Sequence, residues 1–449
     1  MPQAYAIANA SEMYLLAEKL WPINRSLTGQ GVNETFDFVK ELLPSLVVKS
    51  VPSGTQAFDW EVPLEWNVQT AFILTPEGQK ICDFKLNNLS LVGYSIPVNA
   101  QIDFDELKGH LHYLEEQPDA IPYVTSYYNE DWGFCLTKND FMELKQGIYQ
   151  VFIDSTLQNG EMNYGELLIK GRSKKEILIS TYICHPSMAN NEISGPVVTT
   201  FLAKWIMGRE NFYSYRIIFV PETIGSIYYL SKSYKTMKKR VVAGFNVTCV
   251  GDERQYSLLA SRRGNTEVDL LARHVLRFTD PNFCEYSWTS RGSDERQYCA
   301  PGIDLPVVSI MRSKYGEYPE YHTSLDKLGS VVTENGLSGG FLAIARTITS
   351  LESNIYYQSC LLGEPHMSKR DAYPTLSIKG GYSHELRKKM DILSLCDGNT
   401  SLLEIANRLA VPIWELSENI SKLMDMGLIK KVSFFSQWLK KLRKAFGSS

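Results

Sequence analysis

The sequence predicts an α/β fold with a mixed, mostly parallel sheet flanked by helices, carrying a β-rich insertion and a C-terminal winged-helix domain. Three observations predict this class. Apolar strands alternate with amphipathic helices over residues 165–355, short β-rich segments with many aromatics occupy 60–150, and a helix–turn–helix pattern followed by a strand lies within 382–435. The 449 residues suffice for two or three domains and a large core.

The N-terminal region, residues 10–45, has apolar side chains at helical spacing, interrupted by a polar turn at 24–31. This turn either joins two helices or cradles an anion with its backbone N–H groups. Because it lacks the Lys-Ser/Thr ending of a phosphate loop, we interpret it as a helix linker. The aromatic residues of the following β-rich segment, among them Tyr127, Tyr128 and Trp132, either pack in a core or line a substrate cleft.

The central region alternates strands and helices, which favours a parallel sheet with helices on its faces. The predicted strands are 176–184, 216–220, 241–250 and 305–310, and the predicted helices are 195–207, 225–232 and 336–352.

The C-terminal region has the pattern of a winged helix. Ser401 followed three residues later by Glu404 predicts a capping box, and Pro412 separates that helix from a second one at 413–426, which Gly427 ends. A strand at 428–435 and a basic amphipathic segment follow. We therefore assign 1–60 and 151–358 to the α/β core, 61–150 to the insertion, 375–435 to the winged helix and 436–449 to a basic tail.

The composition excludes several classes of protein. A net charge of −4 gives no strong field toward nucleic acid or membranes. The eight cysteines form no Cys-x-x-Cys pair and several lie in apolar runs, which indicates free thiols in a reducing compartment. The N-terminal segment lacks a signal-peptide pattern, and no run of about 18 apolar residues occurs. We therefore expect a cytoplasmic protein without a membrane span.

Two of the seven histidines stand out by position. His185 follows the apolar strand at 176–184 and Glu222 follows the strand at 216–220, and ligands of open α/β sheets bind beyond the carboxyl ends of strands. His322 lies just before the long helix at 336–352. Two imidazoles and one carboxylate are the donors that a zinc ion and a general base require. The helix-borne His-Glu-x-x-His zinc motif is absent.

These motifs resemble, in order and spacing, those of the zinc aminopeptidases with the zinc-exopeptidase α/β fold. The similar runs are 185–195, 222–226 and 321–326, together with 294–298, 301–306 and 316–324. More narrowly, the chain resembles bacterial aminopeptidase-like domain proteins, often described as polysaccharide-biosynthesis proteins. Those pair the exopeptidase core with an inserted β-rich domain of unknown function and a C-terminal winged helix.

The resemblance implies roles for four residues. His185 and His322 match the zinc-binding histidines of the aminopeptidases. Glu222 matches the glutamate that polarises the attacking water, and Asp326 matches a residue that orients the metal site.

Three departures bear on the metal. The metal-bridging aspartate of the aminopeptidases falls at Asn191, and two further acidic ligands fall at Thr223 and Thr248. We therefore expect no two-metal site. The hypothesis is a single zinc ion held by His185, Asn191 and His322, with Glu222, Glu192 or water as the remaining ligand. If Glu192 does not bind the ion, it is expected to support the ligands by hydrogen bonding. The alternative is a related protein that has lost the metal.

The resemblance leaves the substrate open. Guanidinium groups suit an anionic substrate group, and carboxylates suit a free amino terminus, although surface ion pairs explain both equally well. The substrate-binding candidates are Arg262, Arg263, Arg296, Glu317, Glu320 and Tyr321. Two functions follow: a zinc-dependent aminopeptidase-like hydrolase acting on a small peptide or amino-acylated substrate, or a catalytically degenerate ligand-binding or partner-binding module.

The winged helix is expected to contact protein rather than nucleic acid. Its predicted second helix, 413–426, carries one Lys and three acidic residues, whereas phosphate contacts need Lys and Arg. We therefore expect no nucleic-acid partner, and we predict homo-oligomer formation through the winged helix or the insertion.

Overall fold

The computed structural model describes residues 2–370 and 384–432. The chain divides into two compact units, one formed by Met1–Asp269 and Asn282–Ala345 and the other by Leu270–Pro281 and Arg346–Ser449. The predicted basic tail at 436–449 lies outside the described residues, as do parts of the predicted winged helix at 375–383 and 433–435.

The strands of the described residues are numbered here in chain order. They are β1 Val47–Pro52, β2 Gln56–Ala57, β3 Trp60–Glu61, β4 Glu65–Leu74, β5 Lys80–Ile81, β6 Val98–Asp103, β7 Leu111–His112, β8 Phe134–Cys135, β9 Ile148–Gln158, β10 Glu161–Ile169, β11 Glu176–Tyr182, β12 Ser214–Val220, β13 Val241–Asn246, β14 Ser257–Leu259, β15 Cys284–Tyr286, β16 Val307–Met311, β17 Tyr356–Ser359, β18 Asp397–Ser401 and β19 Ile429–Lys431.

The α-helices of the same residues are numbered likewise. They are α1 Pro2–Ala8, α2 Ala10–Leu20, α3 Gln30–Leu42, α4 Phe104–Leu107, α5 Lys138–Met142, α6 Ser194–Met207, α7 Ile224–Arg240, α8 Glu267–Thr279, α9 Glu295–Tyr298, α10 Glu334–Ser353, α11 His384–Leu395, α12 Leu402–Leu409 and α13 Leu416–Asp425.

The first unit is built on an eight-stranded mixed sheet with the order β1-β10-β12-β11-β13-β16-β14-β15. Its centre, β12-β11-β13-β16, is parallel, while β1, β10 and β14 pair antiparallel with a neighbour. Every residue of β11 is buried, as expected for a central strand covered on both faces. The predicted mixed, mostly parallel sheet is confirmed.

The insertion has its own antiparallel sheet, with the order β5-β4-β9-β6. The predicted boundary at 150 falls inside β9, which pairs with β4 as far as Gln158. After only two intervening residues the chain enters β10 of the main sheet. One continuous apolar cluster contains Trp66 and Phe134 of the insertion together with Leu178 and Ile218 of the main sheet. The insertion is therefore packed against the core.

The second unit contains a three-stranded antiparallel sheet, β18-β17-β19, with helices α11, α12 and α13. The predicted capping box is present, because Ser401 and Glu404 exchange side-chain and backbone hydrogen bonds. Gly427 has a φ of +67° and ends the last helix as predicted. The predicted helix at 413–426 divides into a short 3-10 turn and α13.

Two further expectations concern the membrane and the cysteines. Within residues 2–370 and 384–432, no helix combines the length and apolar character that crossing a bilayer requires. All eight cysteines are free thiols, and most of them are buried.

Candidate functional site

The candidate site lies where the central parallel strands of the main sheet end. His185 follows β11 and Glu222 follows β12. The neighbouring strand ends are joined, because Ile183 N donates to Val220 O at 3.0 Å and Glu222 N donates to Cys184 Sγ at 3.1 Å. His185 is 3% exposed, whereas the Glu222 side chain is 21% exposed. The histidine is therefore inside the fold and the carboxylate faces an opening.

The His185 ring lies between two carboxylates. Its Nδ1 is 3.1 Å from Glu192 Oε2, and its Nε2 is 3.6 Å from Glu222 Oε2. Glu192 is fully buried and can only accept when ionised, so Nδ1 carries the proton and Nε2 presents its lone pair toward Glu222. Burial alone lowers the pKa of His185, but the hydrogen bond and charge of Glu192 outweigh it and raise the pKa above its ordinary value.

Arg25 completes this arrangement, and the sequence analysis did not identify it. Its buried guanidinium donates from Nε to Glu192 Oε1 and to the backbone oxygen of His185, both at 3.1 Å, and from Nη1 to Leu20 O. The turn at 24–31 therefore links α2 and α3, as predicted, and also sends a cation to Glu192. Its direct neighbours in the sequence are Asn24 and Ser26 of the polar turn, so no local pattern distinguished it.

Cys184, His185 and Glu192 place three potential metal donor atoms within 4.8 Å of one another. Two observations argue against a metal at that point. Burial raises the pKa of the Cys184 thiol well above its usual range, and its sulfur already accepts a hydrogen bond from Glu222 N. Both oxygens of Glu192 are already occupied by Arg25 and His185.

His322 approaches His185 from the loop after β16. The two ring centroids are 5.9 Å apart, and Tyr321 stacks on His322 at 3.9 Å. His322 has a φ of +56°, a left-handed conformation that costs energy for a residue with a side chain. Burial, with the neighbouring His185, lowers the pKa of His322 to about 3, so the ring is neutral and able to bind a metal.

Asn191 contributes an unpartnered oxygen. Its Nδ2 donates to Tyr182 Oη at 2.8 Å, whereas its buried Oδ1 has no hydrogen-bond partner among the described residues. Asp326 holds this turn, because its carboxylate accepts from the backbone N–H groups of Asn190 and Asn191 at 2.8 and 3.0 Å. Asp326 therefore positions the loop that carries Asn191.

The two threonines at positions of further acidic ligands are already engaged. Thr248 Oγ1 lies 2.6 Å from Tyr182 Oη, and Thr223 Oγ1 accepts from Arg296 Nη2 at 2.6 Å. Arg296, predicted to bind substrate, thus donates to the side chain of the residue that follows Glu222. These contacts agree with the expectation that there is no two-metal site.

Glu222 is presented by a tight turn with a strained centre. Thr223 has φ +66° and ψ −76°, and Ile224 N donates to Glu222 O at 2.8 Å across it. Asp294 accepts from Thr223 N at 2.8 Å, and Ser293 Oγ donates to Glu222 Oε1 at 2.7 Å. Burial, and then the charge of Glu222, raise the pKa of Asp294 to about 7. The sequence motif at 294–298 supported the family resemblance, but it did not predict that this segment holds the turn after Glu222.

The insertion forms one wall of the site. Tyr123 N donates to His322 O at 2.9 Å, and the Tyr123 ring lies 5.3 Å from the His185 ring and 5.2 Å from the His322 ring. Tyr123 Oη and Tyr127 Oη are hydrogen-bonded at 3.0 Å. Of the aromatic residues noted in the sequence, Tyr127 and Trp132 pack against the apolar cluster of the core, and Tyr127 is linked to the histidines through Tyr123.

Most predicted substrate-binding residues are paired elsewhere. Arg262 and Arg263 both bind Asp304, and Glu320 forms a two-pronged pair with Arg254 at 2.7 and 2.8 Å. Glu317 lies 3.6 Å from Lys314. Among the predicted residues, Tyr321 and Arg296 are the ones whose described contacts reach the histidines or the turn after Glu222.

The remaining donors are of the kind that zinc accepts. They are His185 Nε2, the neutral His322 ring, the unpartnered Asn191 oxygen and Glu222 Oε2. Two ligands about 2.0 Å from a tetrahedral zinc lie about 3.3 Å apart, close to the 3.6 Å between His185 Nε2 and Glu222 Oε2. Glu192 behind His185 matches the usual carboxylate support of a metal-binding histidine.

Comparison with known proteins places the chain in a family. The sequence profile of a family described as a domain of unknown function (DUF4910) matches residues 14–354. The chain belongs to the DUF4910 family. Residues 354–431 match a family described as winged helix-turn-helix, which confirms the predicted C-terminal domain.

Individual relatives agree with this assignment. A Clostridium acetobutylicum protein named for polysaccharide biosynthesis and an aminopeptidase-like domain is 40% identical over 94% of this chain and 96% of its own. A crystal structure of a C. acetobutylicum protein described as a peptidase is 38% identical, with a TM-score of 0.89, over 96% of this chain and 98% of that one. The resemblance to aminopeptidase-like domain proteins is therefore confirmed.

A distant structure indicates the fold of the DUF4910 core. The zinc aminopeptidase of Bacillus subtilis is 14% identical and matches with a TM-score of 0.54 over 76% of this chain and 94% of its own. The core thus has the aminopeptidase-like α/β fold that the motifs predicted.

Proposed function

We propose that this DUF4910 protein is a zinc-dependent, aminopeptidase-like hydrolase that cleaves an amide bond in a small peptide or an amino-acylated substrate. One observation carries the proposal. The lone pair of a buried histidine, fixed by Glu192 from behind, faces a partly exposed carboxylate 3.6 Å away, beside a second, neutral histidine. An ion pair with a purely structural role would need neither a partly exposed carboxylate nor a second histidine beside it.

His185, His322 and Asn191 are the residues that would hold the ion, with water as a fourth ligand, which leaves Glu222 free to act on that water. When bound, zinc would polarise the substrate carbonyl and lower the pKa of water. Asn191 supplies a neutral oxygen where the aminopeptidases have a carboxylate, so we expect weaker binding than in a site with an aspartate there.

Glu222 is the proposed general base. Ser293 holds one of its oxygens, and the other faces the histidines. The carboxylate takes a proton from the attacking water and passes it to the leaving amine. Its partial exposure gives water access to the carboxylate.

A second candidate is a metal-poor module that binds a ligand or partner through the same cleft. The specific observation in its favour is the neutral Asn191, whose loss of charge weakens any cation site. In this case the paired side chains of His185 and Glu222 would recognise a ligand without cleaving it.

The relative's name associates polysaccharide biosynthesis with this family, so amino-acylated sugars belong in the substrate set. The free thiols support a reducing, cytoplasmic location. Homo-oligomer formation through the winged helix or the insertion stays a prediction.

The test is zinc content combined with hydrolysis of a panel of aminoacyl anilides and aminoacyl sugars. We expect one zinc per chain after purification without chelator, and a Glu222→Gln variant that keeps the zinc and loses about 10²–10⁴-fold in kcat. Glu317→Gln, a matched change at a surface carboxylate, is expected to keep full activity.

The Asn191→Asp variant separates the two candidates. For a hydrolase, this variant is expected to bind zinc more tightly than the wild type. A wild type without zinc, together with an Asn191→Asp variant that gains neither zinc nor activity, contradicts the hydrolase and favours the binding module.

A further inference from the structure

A pair of phenols from the insertion faces the candidate metal ligands. The Tyr123 ring lies edge-on to both imidazoles, 5.3 Å from His185 and 5.2 Å from His322 between centroids. The Tyr127 hydroxyl lies 3.0 Å from the Tyr123 hydroxyl. The Tyr123 ring therefore packs against both histidines, and its hydroxyl is hydrogen-bonded to that of Tyr127.

This pair is anchored to the loop that carries His322. Pro122 and Thr323 form an antiparallel bridge, and Ser324 N donates to Ile121 O at 2.8 Å. Together with the bond from Tyr123 N to His322 O, these contacts fix the strand-like segment 121–123 against 322–324. The phenols are consequently held in place by the same backbone that positions a proposed ligand.

The hydrogen bonding of the pair leaves one proton available. Each phenol has one proton to donate, and the single bond between the two oxygens uses only one of them. No other acceptor for either hydroxyl occurs in the part of the chain that the structure describes. Both side chains are half-buried, so a bound substrate can reach the free donor.

Either hydroxyl can be the donor of the bond between the two tyrosines, and when Tyr123 donates, the free proton is on Tyr127. Its backbone has a φ of +46°, a conformation that a residue with a side chain adopts only when its surroundings impose it. Burial raises the pKa of Tyr127, and the charges of Cys184 and Glu222 raise it further, which keeps the phenol protonated and able to donate.

We propose that Tyr127 donates a hydrogen bond to the substrate oxygen on which negative charge develops during amide cleavage, and that Tyr123 orients it by donating to Tyr127 Oη. The inference rests on the proposed hydrolase function and deepens it. The proton stays on Tyr127 throughout, so the contribution is electrostatic stabilisation of the tetrahedral oxyanion. The insertion then supplies a catalytic residue to the core.

The experiment compares three single substitutions in the full chain: Tyr127→Phe, Tyr123→Phe and Tyr128→Phe. Tyr128 is the matched control, because it is the adjacent residue and its hydroxyl donates to Glu61 O. We expect Tyr127→Phe to lower kcat by about 100-fold or more with little change in KM. We expect a loss of about two- to tenfold for Tyr123→Phe, and no change for Tyr128→Phe.

Two further readouts separate this role from a structural one. Zinc content and thermal midpoint are expected to match the wild type in all three variants. Affinity for an aminoalkylphosphonate, which carries a tetrahedral anionic group, is expected to fall about 10- to 100-fold in Tyr127→Phe, while affinity for the free amino acid stays unchanged.

Specific outcomes overturn the inference. These are a Tyr127→Phe variant as active as Tyr128→Phe, a larger loss in Tyr123→Phe than in Tyr127→Phe, or loss of zinc from Tyr127→Phe. If the wild type itself neither binds zinc nor cleaves any amide, the proposed function fails and this inference fails with it. An active wild type with an active Tyr127→Phe variant overturns the inference alone.

Discussion

Glu192 stands one position after the site of the missing acidic ligand and acts on the opposite side of His185. Asn191 turns its amide toward Tyr182 and leaves its oxygen unpartnered, while Glu192 binds His185 Nδ1. A carboxylate in that position fixes the tautomer of the ring and raises its strength as a ligand. A carboxylate at position 191 would be a direct metal ligand, whereas the carboxylate at position 192 acts on the metal site through His185.

Arg25 is expected to be required for this support. Replacing it by Met keeps the side-chain length and removes the cation, which leaves Glu192 buried with only His185 as a partner. We expect Arg25→Met to lower the free energy of unfolding by about 3–5 kcal/mol and to weaken zinc binding by about tenfold or more. Urea unfolding and zinc titration measure the two effects.

The control is Arg262→Met, which breaks an arginine–aspartate pair at the surface. Its expected change in unfolding free energy is below about 1 kcal/mol, with zinc binding unaffected. Equal effects of the two substitutions would show that the buried position of Arg25 has no special importance.

At the scale of elements, His274 of α8 forms a hydrogen bond to Asn407 of α12, and its contacts permit a single tautomer of the ring. Ile413 N donates to His274 Nε2 at 2.9 Å, so the ring proton must be on Nδ1, which donates to Asn407 Oδ1 at 2.7 Å. A second proton would remove the bond from Ile413. Burial correspondingly lowers the pKa of His274 below its ordinary value of 6.5.

The second unit is therefore expected to lose stability in mild acid. Because the folded pKa is lower than the unfolded one, the contribution of His274 is fully present above pH 6.5 and is lost as the pH falls through the folded pKa. The slope contributed by this one group is at most about 1.4 kcal/mol per pH unit. Urea unfolding, with hydrogen exchange of α12 and α13 as the local probe, measures it between about pH 7.5 and about pH 5.

A His274→Gln variant is expected to be less stable at neutral pH and to lack this contribution to the slope. His366→Gln is the matched control, since His366 is exposed in the same unit. If the pH dependence of the unfolding free energy persists in His274→Gln and disappears in His366→Gln, it comes from His366, and the prediction for His274 is wrong.

At the scale of the whole molecule, the expectation that the winged helix does not bind DNA rests on its second helix, α13, which carries one lysine and no arginine. The single lysine of α13, Lys422, is paired with Glu418 at 2.7 Å and Glu385 at 3.3 Å. We expect the full chain to show no salt-dependent affinity for a duplex of about 20 base pairs in fluorescence anisotropy. A variant with Glu418→Lys and Asp425→Lys is expected to gain such binding, whereas tight, salt-sensitive binding by the wild type contradicts the prediction.

The extent to which the sequence predicted the fold varies with the range of the contacts involved. Strand β11 was located to within two residues, because a strand buried on both faces is a continuous apolar run. The capping box at Ser401 was correct because it involves residues three apart. The insertion boundary was harder to locate, since β9 continues with the same pattern from the insertion sheet almost to the core.

The sequence by itself determined the fold class, the four central strands β11, β12, β13 and β16, and the strand ends at which His185 and Glu222 lie, because local periodicity and strand-end position carry that information. Tertiary structure alone decided how the site is completed. Arg25 reaches Glu192 across 167 residues of chain, and Tyr123 meets His322 from within a separate sheet. Such contacts depend on how packed elements meet in space, and no spacing along the chain encodes them.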